Sequence, residues 1–219
     1  MNHLDKPVTP PNAFDEAAAT WDDKPARVAL ATAIGQTIVR EVQPSQDMDV
    51  LDYGCGTGLL SLFLLPHVRS ITGADSSAGM LDVLRQKIAR MHLDNVKLMK
   101  LDCENDPPPE NRFHMVATAM TMHHVRDIDK VLEAFHELLR PGGVLCVADL
   151  DTEPGTFHPA DAAETVHHHG FDRNQLKALL ADYGFVHTQD FTAHTIRKET
   201  EQGHVGHFPV FLVVARKSA

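Results

Sequence analysis

The sequence predicts an α/β fold: a seven-stranded, mostly parallel sheet with helices on both faces, an antiparallel edge pair and an N-terminal helical cap. Three observations predict it. Between residues 46 and 150 short apolar runs alternate with amphipathic helical stretches, the rhythm of a parallel sheet with right-handed crossovers. In "LDYGCGTG" the glycines Gly54, Gly56 and Gly58 directly follow an apolar run, as in a strand-to-helix turn where a ligand touches main-chain atoms. Beyond residue 172 a helical stretch leads into two extended runs joined by a glycine-containing turn, a hairpin pattern. With 219 residues, 43% of them hydrophobic, a single domain over 1–219 suffices.

The first dozen residues, with Pro7, Pro10 and Pro11, read as a loose arm. "FDEAAATWDDKPARVALATAIGQTIVREV" carries two helical patterns split near Pro25, so that residues 1–45 form an arm and cap helices. A core over 46–150 follows. "MDVLDY" is its first strand, and a helix runs from about Leu59 to His67. "SITGAD" is the second strand, and Ser76 or Ser77 caps a helix with Met80, Leu81, Leu84, Ile88 and Met91 on its apolar face. "NVKLMKLD" is the third strand, "ENDPPPEN" a loop and "FHMVATAM" the fourth strand. Asp127 caps a helix with Ile128, Val131, Leu132, Phe135, Leu138 and Leu139 on one face, which "RPGG" ends. "VLCVADL" is the fifth strand. Residues 151–171 form a long polar stretch where the fold needs only a short connection, so they read as a lid-like insert beside the sheet's carboxyl edge. Residues 172–219 supply a last helix and the edge strands.

Composition narrows the partners. The net charge of −10, with basic residues scattered among acids, argues against nucleic acid. Cys55, Cys103 and Cys146 are odd in number and widely spaced, which is no disulfide framework and fits a reducing cytoplasm. No signal-peptide pattern opens the chain and no apolar run approaches ~18 residues, so a soluble protein without a membrane partner is expected. Composition leaves the oligomeric state open.

What does the glycine turn hold? No Lys follows the glycines, so it is not a triphosphate loop. A dinucleotide fingerprint needs a further glycine where Leu59 stands. Asp52 before the turn would repel a pyrophosphate and attract an ammonium. Asp75 ends the second strand, where an acid accepts both hydroxyls of a ribose. Asp102 ends the third, placed to accept from the exocyclic amine of a purine. Together they describe an adenosine with a cationic amino-acid tail.

"VLDYGCGTGLLS", "GADSSAGML", "LDCEND", "MVATAMTMHHV" and "LLRPGGVLCVADLD" stand in the order and spacing of the motifs of class I S-adenosylmethionine-dependent methyltransferases, which the chain resembles over most of its length. The "HH" after the fourth strand and the "FDEAAATWDD" segment are similar to the ubiquinone/menaquinone-type, small-molecule subgroup, where the latter lies over the cofactor. The resemblance implies a Rossmann-like fold, S-adenosylmethionine as cofactor and a small-molecule methyl acceptor. Its cofactor-binding residues would be Trp21, Asp52, Gly54, Cys55, Gly56, Gly58, Asp75, Ser76, Met80, Asp102, Cys103 and Ala119. Cys103 would contribute its backbone beside the adenine ring, and Cys55 is a small turn residue without a nearby base to activate it. The [ND]PP[YF] motif of adenine-N6 and glutamine methyltransferases is absent, and the cysteines form no arsenic-binding set.

His123 and His124 are the candidate catalytic pair, either of them a hydrogen-bond partner or base for the acceptor at the floor of the methyl pocket. The His167–His169 run is not expected to hold a metal, because consecutive side chains point apart, and no metal is expected elsewhere. Those residues and His158 are expected at the pocket rim. Two rival functions fit the same turn: an S-adenosylmethionine-binding protein without catalysis, and an NAD-dependent oxidoreductase, against which Asp52 and Leu59 argue.

Overall fold

The structure, a computed structural model, describes residues 13–110, 112–159, 165–201 and 203–218. The proline-containing arm and residues 160–164 of the insert lie outside the described residues. In chain order the elements are α1 (Ala13–Ala17), a 3₁₀ segment (Ala18–Asp23), α2 (Pro25–Val42), β1 (Asp49–Tyr53), α3 (Leu59–Leu64), β2 (Ser70–Asp75), α4 (Ala78–Arg90), β3 (Val96–Lys100) and β4 (Phe113–Ala119). A 3₁₀ turn (Met122–His124), α5 (Ile128–Leu138), β5 (Leu139–Leu150), α6 (Arg173–Asp182), β6 (Phe185–Glu199) and β7 (Val205–Lys217) complete it.

The sheet has the order β3-β2-β1-β4-β5-β7-β6. Strands β1 to β5 pair in parallel, and β7 runs antiparallel between β5 and the edge strand β6. The chain winds from β1 out to β3, then returns to lay β4 on the other side of β1. The carboxyl ends of β1 and β4 therefore flank the switch point where open α/β sheets take their ligands.

Both faces are covered, which is why the strands read as continuous apolar runs. Along β5, Leu145 and Val147 pack with α5 and α6, while Val144, Cys146, Ala148 and Leu150 pack with α2 and α3. The stripe Val131, Leu132, Phe135 and Leu138 of α5 is fully buried. Capping follows the sequence pattern: Ser77 Oγ accepts the Met80 N–H at 3.1 Å, Asp127 the Lys130 N–H at 3.2 Å, and Asp172 the Asn174 and Gln175 N–H groups at 2.9 Å. The sequence left Ser76 and Ser77 as alternative caps for α4, and the geometry selects Ser77.

Three local expectations are corrected. The helix expected to run to His67 stops at Leu64 and tightens to 3₁₀ over Leu65–His67, because Pro66 has no N–H for the next helical bond. Met91 does not join the apolar face of α4; it lies just past the helix end and is 53% exposed. "RPGG" does not separate helix from strand. Pairing starts at Leu139 against Phe113, slips, and resumes at Val144 against Met115, so these residues form a bulge within β5, with Gly142 at φ 71°. No helix among the described residues is long and apolar enough to cross a membrane.

Candidate active site

A cleft of about 440 Å³, a usual size for a small-molecule site, opens at the carboxyl ends of β1, β2 and β4. Its floor is the glycine turn. Gly54, Gly56 and Gly58 have φ values of 69°, 53° and 84°, the left-handed region that side chains disfavour. A Cβ on Gly54 would stand 2.2 Å from Thr121 Oγ1, and one on Gly58 2.3 Å from Leu84 Cδ1. Gly56 differs: a Cβ there would meet nothing closer than Met80 Sδ at 3.9 Å, on the cleft wall. Packing keeps two of the glycines bare, while the third leaves main chain facing the cleft.

Asp75, at the end of β2, holds the turn in place. Its Oδ2 accepts the Gly56 N–H and its Oδ1 the Ser77 N–H, each at 2.8 Å. Each oxygen keeps a lone pair for a further donor. Burial raises its pKa, and these hydrogen bonds oppose the rise. Asp52, at the end of β1, is 1% exposed and accepts from Ser61 Oγ at 2.5 Å. Burial, with a smaller contribution from the Asp75 charge, pushes its carboxyl up to about 7. A buried acid in that state favours a cation beside it.

The N-terminal cap is stapled onto this floor. Asp15 Oδ1 accepts from the Gly79 N–H at 2.8 Å and from Ser77 Oγ at 2.6 Å. Thr57 Oγ1 donates to Asp22 at 2.6 Å, and Lys87 forms an ion pair with the same carboxylate. Phe14 and Trp21 are thereby brought to the cleft wall, with the Arg27 guanidinium 3.5 Å over the Trp21 ring.

Of the residues singled out in the sequence, Trp21, Asp52, Gly54, Cys55, Gly56, Asp75, Ser76, Met80, Asp102, Ala119 and His124 line the cleft. Gly58, Cys103 and His123 stand behind its lining. The Cys103 N–H is already donated to the Tyr53 hydroxyl at 3.2 Å, and burial pushes its thiol up to about 12. Asp102 also holds its own turn, accepting the Glu104 N–H at 3.0 Å and Asn105 Nδ2 at 2.8 Å. Burial raises the Cys55 thiol as well, so it is unreactive.

The two histidines after β4 divide. His123 is 1% exposed, and its Nδ1 lies 2.6 Å from Asp149 Oδ1 at the end of β5. Asp149 also accepts the N–H groups of His123 and Leu150, at 3.2 and 2.7 Å. His124 faces the cleft, with Nδ1 2.6 Å from the Thr165 carbonyl. A carbonyl only accepts, so Nδ1 carries the proton and Nε2 keeps its lone pair. Burial, then the neighbouring His123, lower the His124 pKa to about 4, so the ring is neutral at physiological pH.

The insert packs on these histidines. The N–H groups of His167 and His168 donate to the His123 carbonyl at 2.9 and 3.1 Å, and Thr165 and His167 line the cleft. His169 turns away toward Glu153, 3.5 Å distant. The run therefore does not converge, but His158 does: its ring centroid lies 5.0 Å from that of His123 and 5.4 Å from that of His124. Sequence reasoning missed Asp149, although an acid at a strand's carboxyl end was the very signal used for Asp52 and Asp75. Phe14 and Thr121 lie on the wall within the cap helices and the turn after β4, both expected around the pocket, whereas Arg27 and Glu104 were not singled out.

Residues 50–143 match the family described as "Methyltransferase domain". An uncharacterized methyltransferase of Schizosaccharomyces pombe is 35% identical over 167 residues, covering 70% of this chain and 59% of that protein. A demethylmenaquinone methyltransferase of Porphyromonas gingivalis is 30% identical over 126 residues, 56% of this chain and 51% of that one. The chain thus spans about half the length of the curated relatives it matches. A phosphoethanolamine N-methyltransferase of Haemonchus contortus, solved in complex with S-adenosyl-L-methionine, shares the fold with a TM-score of 0.68 at 15% identity, over 99% of this chain and 62% of that one. Family match, relatives and fold agree with the motif order from the first strand to the fifth: residues 50–143 form a methyltransferase domain, in a chain similar to the class I S-adenosylmethionine-dependent methyltransferases.

Proposed function

We propose that the protein transfers a methyl group from S-adenosylmethionine to a small-molecule acceptor through an oxygen, nitrogen or carbon nucleophile. The observation that carries this reading is the buried Asp52 beside Asp75 under a glycine turn with main chain open to the cleft. That donor set suits an ammonium, a ribose diol and no phosphate. When bound, the cofactor supplies an electrophilic methyl group on a sulfonium.

The chain's own residues bind and align. Asp52 faces the amino-acid ammonium, Asp75 the ribose hydroxyls, and Asp102 the adenine amine, with Gly54 and Gly56 offering main chain. Cys55, Ser76, Met80 and Ala119 pack around the cofactor, and Trp21 closes over its methionine end. His124 Nε2 accepts a hydrogen bond from the acceptor and orients its nucleophile; the low basicity of this ring favours positioning over proton abstraction. His123 and Asp149 hold that turn as positioning residues. The cap helices between Phe14 and Val42 and the described part of the 151–171 insert together cover the acceptor side of the 46–150 core and exclude water, all within one domain. Its setting is cytoplasmic, which the three buried, unpaired cysteines support.

Calorimetry tests the cofactor: S-adenosylmethionine or its demethylated product is expected to bind in the micromolar range and NAD not at all. Binding of NAD alone would overturn the reading. Methyl-labelled cofactor incubated with fractionated metabolite pools should then yield a labelled small molecule. Binding without transfer to any pool would favour a non-catalytic S-adenosylmethionine-binding protein.

The affinity should depend on pH through Asp52. An ammonium beside Asp52 pulls its pKa down from about 7, so the complex holds fewer protons than the free protein. Affinity is then full above about 7 and falls as pH drops, approaching ~10-fold per pH unit. Asp52→Asn should remove that slope. A flat profile between pH 6 and 8 in the unsubstituted protein would refute the ammonium assignment.

A further inference from the structure

His123, His124 and His158 come together from two loops, the turn after β4 and the segment after β5. One ring nitrogen of each lies within 4.8 Å of the others. The surrounding groups settle which nitrogens are available. Asp149 takes Nδ1 of His123 and the Thr165 carbonyl takes Nδ1 of His124, so Nε2 is the nitrogen by which each could ligate. The Nε2 of His158 is buried and has no hydrogen-bond partner among the described residues. A buried polar atom without a partner costs on the order of 1–3 kcal/mol, so the His158 nitrogen in particular calls for a partner, which a cation shared with the two neighbouring imidazoles would supply.

We propose that His123, His124 and His158 form a tris-histidine site for a divalent transition metal, zinc foremost, which meets the cleft at His124. Three neutral imidazoles are the donor set that zinc takes at sites with an open fourth position. A carboxylate on one ligand's second nitrogen and a carbonyl on another's are the outer contacts that fix tautomer and ring orientation at such sites. Phe14 stands edge-on to His124 and Phe157 to His158, with centroids 5.1 and 4.8 Å apart, giving the cluster an apolar shell. Nitrogens of a tetrahedral zinc site lie roughly 3.3 Å apart for bonds of about 2.0–2.1 Å, so binding draws the rings inward.

Binding of the metal does not depend on the methyl-transfer reading. Its role does: with the metal bound, His124 Nε2 ligates it instead of accepting from the acceptor, and the fourth position would take an acceptor oxygen or nitrogen and ease loss of its proton to solvent.

The test uses untagged full-length protein stripped with a chelator and titrated with Co²⁺. One equivalent is expected to bind with the intense visible d–d bands of a tetrahedral site, and Zn²⁺ should displace it. His158→Ala and, separately, His124→Gln should abolish the bands. Asp149→Asn should weaken zinc binding about 10- to 100-fold. A double substitution, His168→Ala with His169→Ala, should leave the bands intact. The proposal is overturned if the unsubstituted protein gives no such bands, or if they survive His158→Ala and vanish in the double variant. S-adenosylmethionine affinity measured in parallel separates the two readings, since its absence with cobalt bound would defeat methyl transfer and leave the metal site standing.

Discussion

Asp75→Ala is expected to lower cofactor affinity by about 30- to 150-fold, or about 2–3 kcal/mol, the range for hydrogen bonds to a charged group. Two losses combine. The carboxylate that would accept the ribose hydroxyls is gone, and the N–H groups of Gly56 and Ser77 lose their acceptor, so the turn itself loosens. Asp75→Asn keeps an amide oxygen for one of those N–H groups and should fall between alanine and the unsubstituted protein. The fold should persist in both, because Asp75 stands at a strand end and outside the hydrophobic clusters. Calorimetric titration with S-adenosylmethionine, with circular dichroism as the check on folding, measures it. An unchanged affinity in folded Asp75→Ala protein would remove Asp75 from the cofactor site.

The second large effect is on stability. Gly58→Ala is expected to destabilise the protein by about 2–4 kcal/mol, combining a side chain in the left-handed region with a methyl group forced into a packed core. The backbone there has φ 84°, and the added Cβ would lie 2.3 Å from Leu84 Cδ1, a side chain that is fully buried. Gly56→Ala is the contrast. Its methyl meets only Met80 Sδ at 3.9 Å, so it carries backbone strain of about 1–2 kcal/mol while projecting into the cleft. Urea midpoints should therefore rank Gly58→Ala as the less stable, and cofactor affinity should rank Gly56→Ala as the weaker binder. Adding Leu84→Ala to Gly58→Ala should be less than additive by about 1 kcal/mol or more, since it removes the clash. Full additivity would show that Leu84 is not what excludes a side chain at position 58.

The strands β1 to β5, the caps at Ser77, Asp127 and Asp172, and the acids closing β1 and β2 were all legible in the sequence. Each is local: an apolar run of strand length, a hydroxyl or carboxylate ahead of a helical stripe, an acid at a strand's carboxyl end. The glycine turn was legible for the same reason, because φ > 0 is a demand of the backbone that few residues meet. What the local pattern could not carry was the reason for each glycine. Gly54 and Gly58 answer to Thr121 and Leu84, which lie 67 and 26 residues further along the chain.

The order of the last two strands was also beyond the sequence alone. β7 reads as a continuous apolar run and β6 as a polar alternation, and burial on both faces puts the former inside, between β5 and β6. The histidines divide most sharply. Sequence proximity drew attention to His167–His169, whose rings diverge, whereas the rings that converge belong to His123, His124 and His158, separated by up to 35 residues. Local chemistry along the chain determined the sheet, the turn and the acids at its strand ends. Which side chains face one another across the cleft was decided only by the tertiary structure, because parallel crossovers bring together loops that share no local signal.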